Sequence, residues 1–245
     1  MLPVCADMGH WGRALSGGPK STDQRRRRVS NLTTIGQRRS DLLLQHPKVS
    51  MAAVMDFAPF LAFSAVVDGD HPDVRRLAET IGRKDPLATI QAAYQLVRDE
   101  FAHSYDIGAT DVSVSASDVV RNGHGICFAK SHLLAGLLRA SGIPAGLCYQ
   151  KLARTDRGPG GSCLHGLNAV WLEGSWRRLD PRGNKPTTEL PFDPNYERLA
   201  YTIEITRGER DYPDVFSEPL RCVLLALSGS DTVAELDRNL PPDLD

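Results

Sequence analysis

The spacing of apolar and polar positions predicts two helices early in the chain, over residues 72–81 and 86–101. Each segment begins with a proline, which suits the first turn of a helix, and Asp70 or Asp85 precedes it as an available N-cap. The second segment has a clear apolar face, formed by Leu87, Ile90, Tyr94, Val97 and Phe101. These positions recur every three or four residues, so we expect this helix to bury one side against a core.

A short third helix is predicted to end near Asn122-Gly123, with Ser117 or Asp118 as its cap. A fourth helix follows from about Ile126 to Ser141, and Gly142 is its stop signal. Its apolar side consists of Ile126, Ala129, Leu133, Leu134, Leu137 and Leu138. This helix has the most apolar residues, so we expect it to be central and well buried. Between the second and third helices, residues 103–106 read as a helix end and a turn.

The later part of the chain changes to a strand pattern. Residues 146–152 favour one strand, and residues 165–172 and 175–180 favour a hairpin around Glu173-Gly174. The stretches 200–206 and 221–227 also resemble strands, the second apolar enough to be buried. Helices first and strands later predict an α+β fold.

Charge separates the first 50 residues from the rest of the chain. They hold nine Lys/Arg against three Asp and no Glu, in a chain of net charge -1. Apolar residues are sparse there, so we interpret 1–50 as a basic, disordered extension and 51–245 as the folded domain, with its core at about 90–185. A transit peptide, or a true start at Met51, fits the same composition. We predict no nucleic-acid partner and no membrane association.

The cysteines are too few and too scattered for a disulfide framework. There are five in 245 residues, so we expect a reducing, cytoplasmic location. A zinc site built from Cys148, Cys163 and His132 together with Cys127 and His165 is a poor alternative, because no Cys-x-x-Cys pair exists. No cofactor is predicted.

Cys127 is the strongest candidate for chemistry. It lies where a glycine-containing turn passes into the fourth helix, and the positive end of a helix stabilises a thiolate. If Glu173-Gly174 is a two-residue turn, His165 and Asp180 share one face of the hairpin and are diagonal neighbours. One more loop residue would turn Asp180 to the other face.

These three residues define a testable chemistry. His165 would take the proton of Cys127, Asp180 would orient the imidazole, and the thiolate would attack an acyl carbon. The backbone N–H of Cys127 is one potential oxyanion donor. Candidates for a second donor or for the cleft wall are Asn122, His124, Gln150 and Cys163.

Four segments together resemble the transglutaminase-like superfamily, particularly its bacterial branch. They are Gly125–Cys127, Leu133–Ala145, His165–Val170 and Trp176–Asp180. The resemblance covers roughly residues 90–185, and it implies a papain-like core in which a helix bearing the nucleophile packs on an antiparallel sheet. By position, it implies Cys127 as nucleophile, His165 as base and Asp180 as the orienting acid.

The superfamily includes cross-linking enzymes, peptidases, amidases and members without activity, so the resemblance leaves three functions open. We favour hydrolysis of a peptide or amide through a thioester, because water needs no second substrate site. Protein-glutamine cross-linking and an idle binding module are the alternatives. The oligomeric state is not predicted.

Overall fold

A computed structural model describes residues 56–82, 85–158, 160–183 and 189–244. The proposed extension at 1–50 lies outside these residues. Helices α1 (Pro72–Ile81) and α2 (Pro86–Glu100) form where the apolar spacing predicts them. Asp85 caps α2 by accepting from Ala88 N at 2.8 Å, but the cap of α1 is His71 and not Asp70, since His71 Nδ1 accepts from Asp73 N at 3.3 Å.

A short parallel bridge and two further helices complete the first half. Strand β1 (Ala102–His103) pairs with β2 (His124–Gly125), which lies between α3 (Ala116–Asn122) and α4 (Cys127–Ala140). The cap of α3 is Ser115, and neither Ser117 nor Asp118 is its N-cap. Asp118 instead completes a reciprocal capping box from the third helical position.

Helix α4 is the centre of the fold. It contacts α1, α2 and α3 on one side and the sheet on the other, and every residue from Cys127 to Arg139 is buried. The prediction of a central, well-buried helix is therefore confirmed. The burial includes polar side chains that the apolar pattern does not anticipate, namely Lys130, Ser131, His132 and Arg139.

The main sheet is antiparallel and has the order β5-β4-β3-β6. Its strands are β3 (Ala145–Ala153), β4 (Ser162–Leu172), β5 (Ser175–Leu179) and β6 (Arg210–Asp211). The mixed helices and antiparallel sheet make the fold α+β. Glu173 and Gly174 both have positive φ, 50° and 85°, as a type I′ turn requires. Trp171 therefore pairs with Trp176, the register that a two-residue turn predicts.

Two of the strand predictions are wrong. Residues 221–227 belong to helix α5 (Arg221–Ser228), which α6 (Val233–Asn239) follows. Within α5, Val223 and Leu227 are buried while Leu225 is 59% exposed, so the burial follows a helical period that a short apolar run conceals. Residues 200–206 form no strand, and a single 3₁₀ turn covers Ile205–Arg207.

Candidate active site

Cys127 is the first residue of α4. Its predecessor Ile126 is extended, with ψ 174°, and provides no side-chain cap, so the first N–H groups of the helix have no capping acceptor. Gly125 allows the close approach of α3 and α4, because a Cβ there would lie 3.0 Å from Val119 Cγ2 and 3.1 Å from Ala129 Cβ. The sequence thus fixes the sulfur at the positive end of a buried helix.

His165 and Asp180 form a buried pair beside this helix. His165 Nε2 lies 2.9 Å from Asp180 Oδ2, and the two residues are 3% and 0% exposed. Asp180 Oδ2 also accepts from Ala200 N at 2.8 Å, and its Oδ1 accepts from Arg182 N at 3.1 Å. Because Asp180 occupies Nε2, Nδ1 is the ring nitrogen of His165 left to bond Cys127.

The electrostatics favour the charged forms of this pair. Burial by itself would lower the pKa of His165, but the Asp180 carboxylate and a hydrogen bond with Cys127 raise it well above its ordinary value. Burial would raise the pKa of Asp180, but His165 and the N–H groups of Ala200 and Arg182 lower it. The raised pKa makes the His165 imidazole a better acceptor for a proton from the neighbouring sulfur.

Two loops cover the pair. The Tyr201 ring lies edge-on to the His165 ring, with centroids 4.8 Å apart. Arg182 makes a bidentate ion pair with Asp106, at 2.6 and 2.8 Å, and its guanidinium also hydrogen-bonds the Tyr201 side chain. The loop after β5 and the loop after β1 are therefore joined above the imidazole.

A cleft opens at the sulfur. It is lined by His103, Tyr105, Ile126, Cys127, Leu152, Cys163, Leu164, His165, Tyr201 and Leu240. Among these described residues, none carries a carboxylate, an ammonium or a guanidinium. The cleft wall is thus aliphatic and aromatic apart from the histidines and thiols.

Of the four candidates for the cleft wall, the structure brings Cys163 to the cleft and not the other three. Asn122 Nδ2 donates to Ser113 Oγ at 3.0 Å, and His124 Nδ1 lies 3.0 Å from Ser104 Oγ. Both side chains hold the loop that precedes α3 and the bridge that precedes α4. Gln150 is buried directly opposite His165 on β3, and its Oε1 has no hydrogen-bond partner among the described residues.

Three aromatic residues of the cleft were not predicted. His103 and Tyr105, interpreted from sequence as turn residues, reach the cleft because the parallel bridge sets His103 opposite Gly125. Tyr201 falls in a segment predicted as a strand. The signal that could have identified His103 is its position directly after an amphipathic helix, but a two-residue parallel bridge has no readable pattern.

The described residues contain no group of three or more His, Cys, Asp or Glu arranged to hold a metal ion. Within the described residues, Cys127, Cys148, Cys163 and Cys222 form no disulfide. In the part of the chain that is described, no helix has the length and apolarity to cross a membrane.

The α+β fold places a cysteine at a helix start and a histidine–aspartate pair beside it. This is the arrangement of residues found in thiol-dependent sites. Residues 75–181, which are less than half of the chain, match the family model of the transglutaminase-like superfamily. No curated protein matches the chain.

Several solved structures are similar to part of the chain. A protein of Cytophaga hutchinsonii proposed to be a cysteine protease is 23% identical over 53% of this chain and 43% of its own, with a TM-score of 0.42. The periplasmic domain of TgpA from Pseudomonas aeruginosa is 22% identical over 52% and 48%, with a TM-score of 0.39. A structure described as a TGase is 16% identical over 67% and 42%, with a TM-score of 0.37. The chain thus spans less than half the length of each of these solved proteins.

Proposed function

We propose that this protein is a cysteine-dependent acyl-transfer enzyme that hydrolyses a peptide or amide. Cys127 is the nucleophile, His165 moves the proton and Asp180 orients the imidazole. The observation that carries this proposal is the buried pair of His165 Nε2 and Asp180 Oδ2 at 2.9 Å, with His165 and Cys127 lining the same cleft.

The reaction follows from these contacts. His165 Nδ1 takes the thiol proton while the sulfur bonds the acyl carbon, and the carbonyl oxygen becomes an oxyanion. Collapse of this intermediate breaks the C–N bond, and the imidazolium gives its proton to the leaving amine. Water then attacks the thioester, His165 accepts the water proton, and cleavage of the C–S bond releases the acid and returns the proton to sulfur.

One feature supports acyl transfer, and a second supports an uncharged acyl donor. The uncapped N–H groups at the start of α4 offer oxyanion donors, an effect typically worth about 3 kcal/mol of barrier. The cleft is lined by aliphatic and aromatic side chains, so an acyl group with a charged side chain would lose hydration without gaining an ion pair. The reduced thiol suits a cytoplasmic location, which stays a prediction.

Alkylation by iodoacetamide at pH 6 tests the nucleophile. We expect Cys127 to react about 100-fold faster than an ordinary thiol, since thiols of pKa near 8.5 are almost fully protonated at this pH. Cys148 is the internal control, because burial raises its pKa to about 12. Peptide mapping by mass spectrometry identifies the labelled residue. If Cys127 reacts no faster than an ordinary thiol, the proposal of a cysteine-dependent enzyme is wrong, and the alternative of a binding module is favoured.

Product analysis separates hydrolysis from cross-linking. A glutamine-containing peptide is incubated with the protein, with and without a primary amine, and Cys127→Ala serves as the blank. We expect free acid as the main product in both cases, because water needs no acceptor site. Amine incorporation that exceeds hydrolysis would replace the proposed hydrolase with a transamidase.

A further inference from the structure

A buried lysine lies one turn after the nucleophile. Lys130 has no solvent exposure, and its Nζ donates to three backbone carbonyls. The acceptors are Phe101 O at 2.5 Å, Arg182 O at 3.3 Å and Arg98 O at 3.4 Å. An ammonium has three donors and no acceptor, so this set matches the protonated side chain.

The three carbonyls come from two different parts of the site. Arg98 lies in the last turn of α2 and Phe101 is its C-cap, where helical carbonyls lack intrahelical partners and the helix end attracts a cation. Arg182 belongs to the turn after β5, and its own N–H donates to Asp180 Oδ1 at 3.1 Å. One ammonium therefore joins helix α4, the end of α2 and the turn that holds Asp180.

Gly183 makes this junction sterically feasible. Its φ is +104°, and a Cβ there would lie 3.3 Å from Arg98 O and 3.5 Å from Lys130 Nζ. A side chain at this position would therefore be strained and would press on the Arg98 carbonyl that the ammonium bonds. Burial, with a smaller effect of the Arg182 guanidinium, lowers the pKa of Lys130 to about 7, although Asp106, Asp180 and Asp99 act in the opposite direction. The three carbonyl acceptors favour the charged form.

We propose that Lys130 is a positioning residue of the active site. Its ammonium fixes the Asp180–Arg182 turn relative to the helix that carries Cys127, so that Asp180 stays in hydrogen-bond range of His165. Among the described residues, Lys130 Nζ bonds the carbonyls of Arg98, Phe101 and Arg182, so it acts on the site through the backbone of Arg182. Its catalytic meaning rests on the proposed function, whereas its effect on the His165–Asp180 pair does not.

Helix α4 supplies a matched control. Arg139 is also buried, at 3% exposure, and donates to the backbone carbonyls of Ala145, Ala62 and Ser217. Loss of either cation should destabilise the fold, because each leaves buried carbonyls without donors. Of these two cations, Lys130 is the one that bonds the turn after Asp180.

The experiment compares Lys130→Met, Lys130→Arg and Arg139→Met in the full chain. The readouts are circular dichroism for folding, the side-chain pKa of His165 by NMR, and the pH profile of Cys127 alkylation. We expect Lys130→Met to lower the pKa of His165 and to slow alkylation at pH 6 by at least about tenfold, since small displacements of catalytic groups are costly. Lys130→Arg should restore part of the rate, and Arg139→Met should change neither profile.

Equal effects of Lys130→Met and Arg139→Met on the pKa and the pH profile would overturn the inference, as would an unchanged His165 in folded Lys130→Met. If Lys130→Met does not fold, Gly183→Ala decides, because it displaces the same contact while keeping the lysine. If wild-type Cys127 shows no enhanced reactivity, the proposed function fails, and the pKa of His165 still decides the role of Lys130.

Discussion

The pKa values of two buried histidines in this fold are shifted in opposite directions. His165 and His132 are 3% and 1% exposed, so both lose hydration to nearly the same extent. The pKa of His165 is nevertheless raised, whereas burial lowers the pKa of His132 to about 4. His132 Nδ1 donates to the neutral carbonyl of Val114 at 2.7 Å, and His165 bonds the carboxylate of Asp180.

The comparison shows that burial does not by itself decide whether the pKa of a histidine is lowered or raised. Desolvation acts in the same direction on both rings, and the charge of the partner decides the outcome. His132 stays neutral and holds the loop at Val114 against helix α4. His165, next to the Cys127 sulfur, is favoured in its charged form by the Asp180 carboxylate.

The largest effect should come from Asp180→Asn, which makes the surroundings of His165 resemble those of His132. We expect the pKa of His165 to fall below 6.5, because the opposing carboxylate is lost while burial remains. Alkylation of Cys127 at pH 6 should slow by about 100-fold. The free energy of unfolding should fall by about 3 kcal/mol, since one partner of a buried ion pair is removed.

Asp118→Asn is the matched control for Asp180→Asn. Asp118 also accepts two backbone N–H groups, from Val114 at 3.2 Å and Ser115 at 3.0 Å, but these bonds belong to the capping box of α3, whose N-cap is Ser115. We expect it to lower the free energy of unfolding and to leave the alkylation rate unchanged. An equal loss of thiol reactivity in both variants would assign the effect to general destabilisation.

The hairpin shows why part of the site could be predicted. The turn Glu173-Gly174 permits a two-residue loop, and this single choice fixes the register of β4 and β5 and the common face of His165 and Asp180. The Trp171–Trp176 pair, with ring centroids 5.5 Å apart, supports the same register. Local turn chemistry was therefore sufficient to bring two residues 15 positions apart together.

The remainder of the site depends on contacts without a local pattern. Ala200 donates to Asp180, and Tyr201 covers His165, from a segment with no regular structure. Lys130 lies within an apolar helix, and the carbonyls that it bonds are distant in sequence. Long-range packing of irregular backbone decides such positions, and neither periodicity nor propensity records it.

The pH dependence of the free energy of unfolding can also distinguish the two histidines, and His132→Asn is the variant that tests it. A group whose pKa differs between the folded and unfolded states makes stability depend on pH. Because the folded-state pKa of His132, about 4, lies below its ordinary value, the unfolded chain binds the extra proton first and stability falls as pH decreases from 6.5 to 4. For His165 the folded-state pKa is raised, so its contribution is complete below pH 6.5 and is lost as pH rises through the raised value. The two residues therefore act in different pH windows.

Urea unfolding at pH 7 and pH 4.5 measures this difference. We expect the acid loss of stability to be smaller in His132→Asn than in the wild type by about 2–3 kcal/mol, because an amide cannot be protonated in this range. The Asn side chain can still donate to the Val114 carbonyl. An identical acid loss in the two proteins would show that His132 is not held neutral in the fold.

The smallest expected effect concerns Asp68, an acidic group whose charge acts on His132. Asp68 raises the pKa of His132 against the larger effect of burial, and its Oδ1 accepts from Ser117 N at 3.1 Å. Asp68→Asn keeps an oxygen for Ser117 and removes the charge, so the pKa of His132 should fall slightly and that of His165 should stay unchanged. NMR titration of both rings measures this, and a shift at His165 as large as that at His132 would mean that the two charge states are not set by their separate partners.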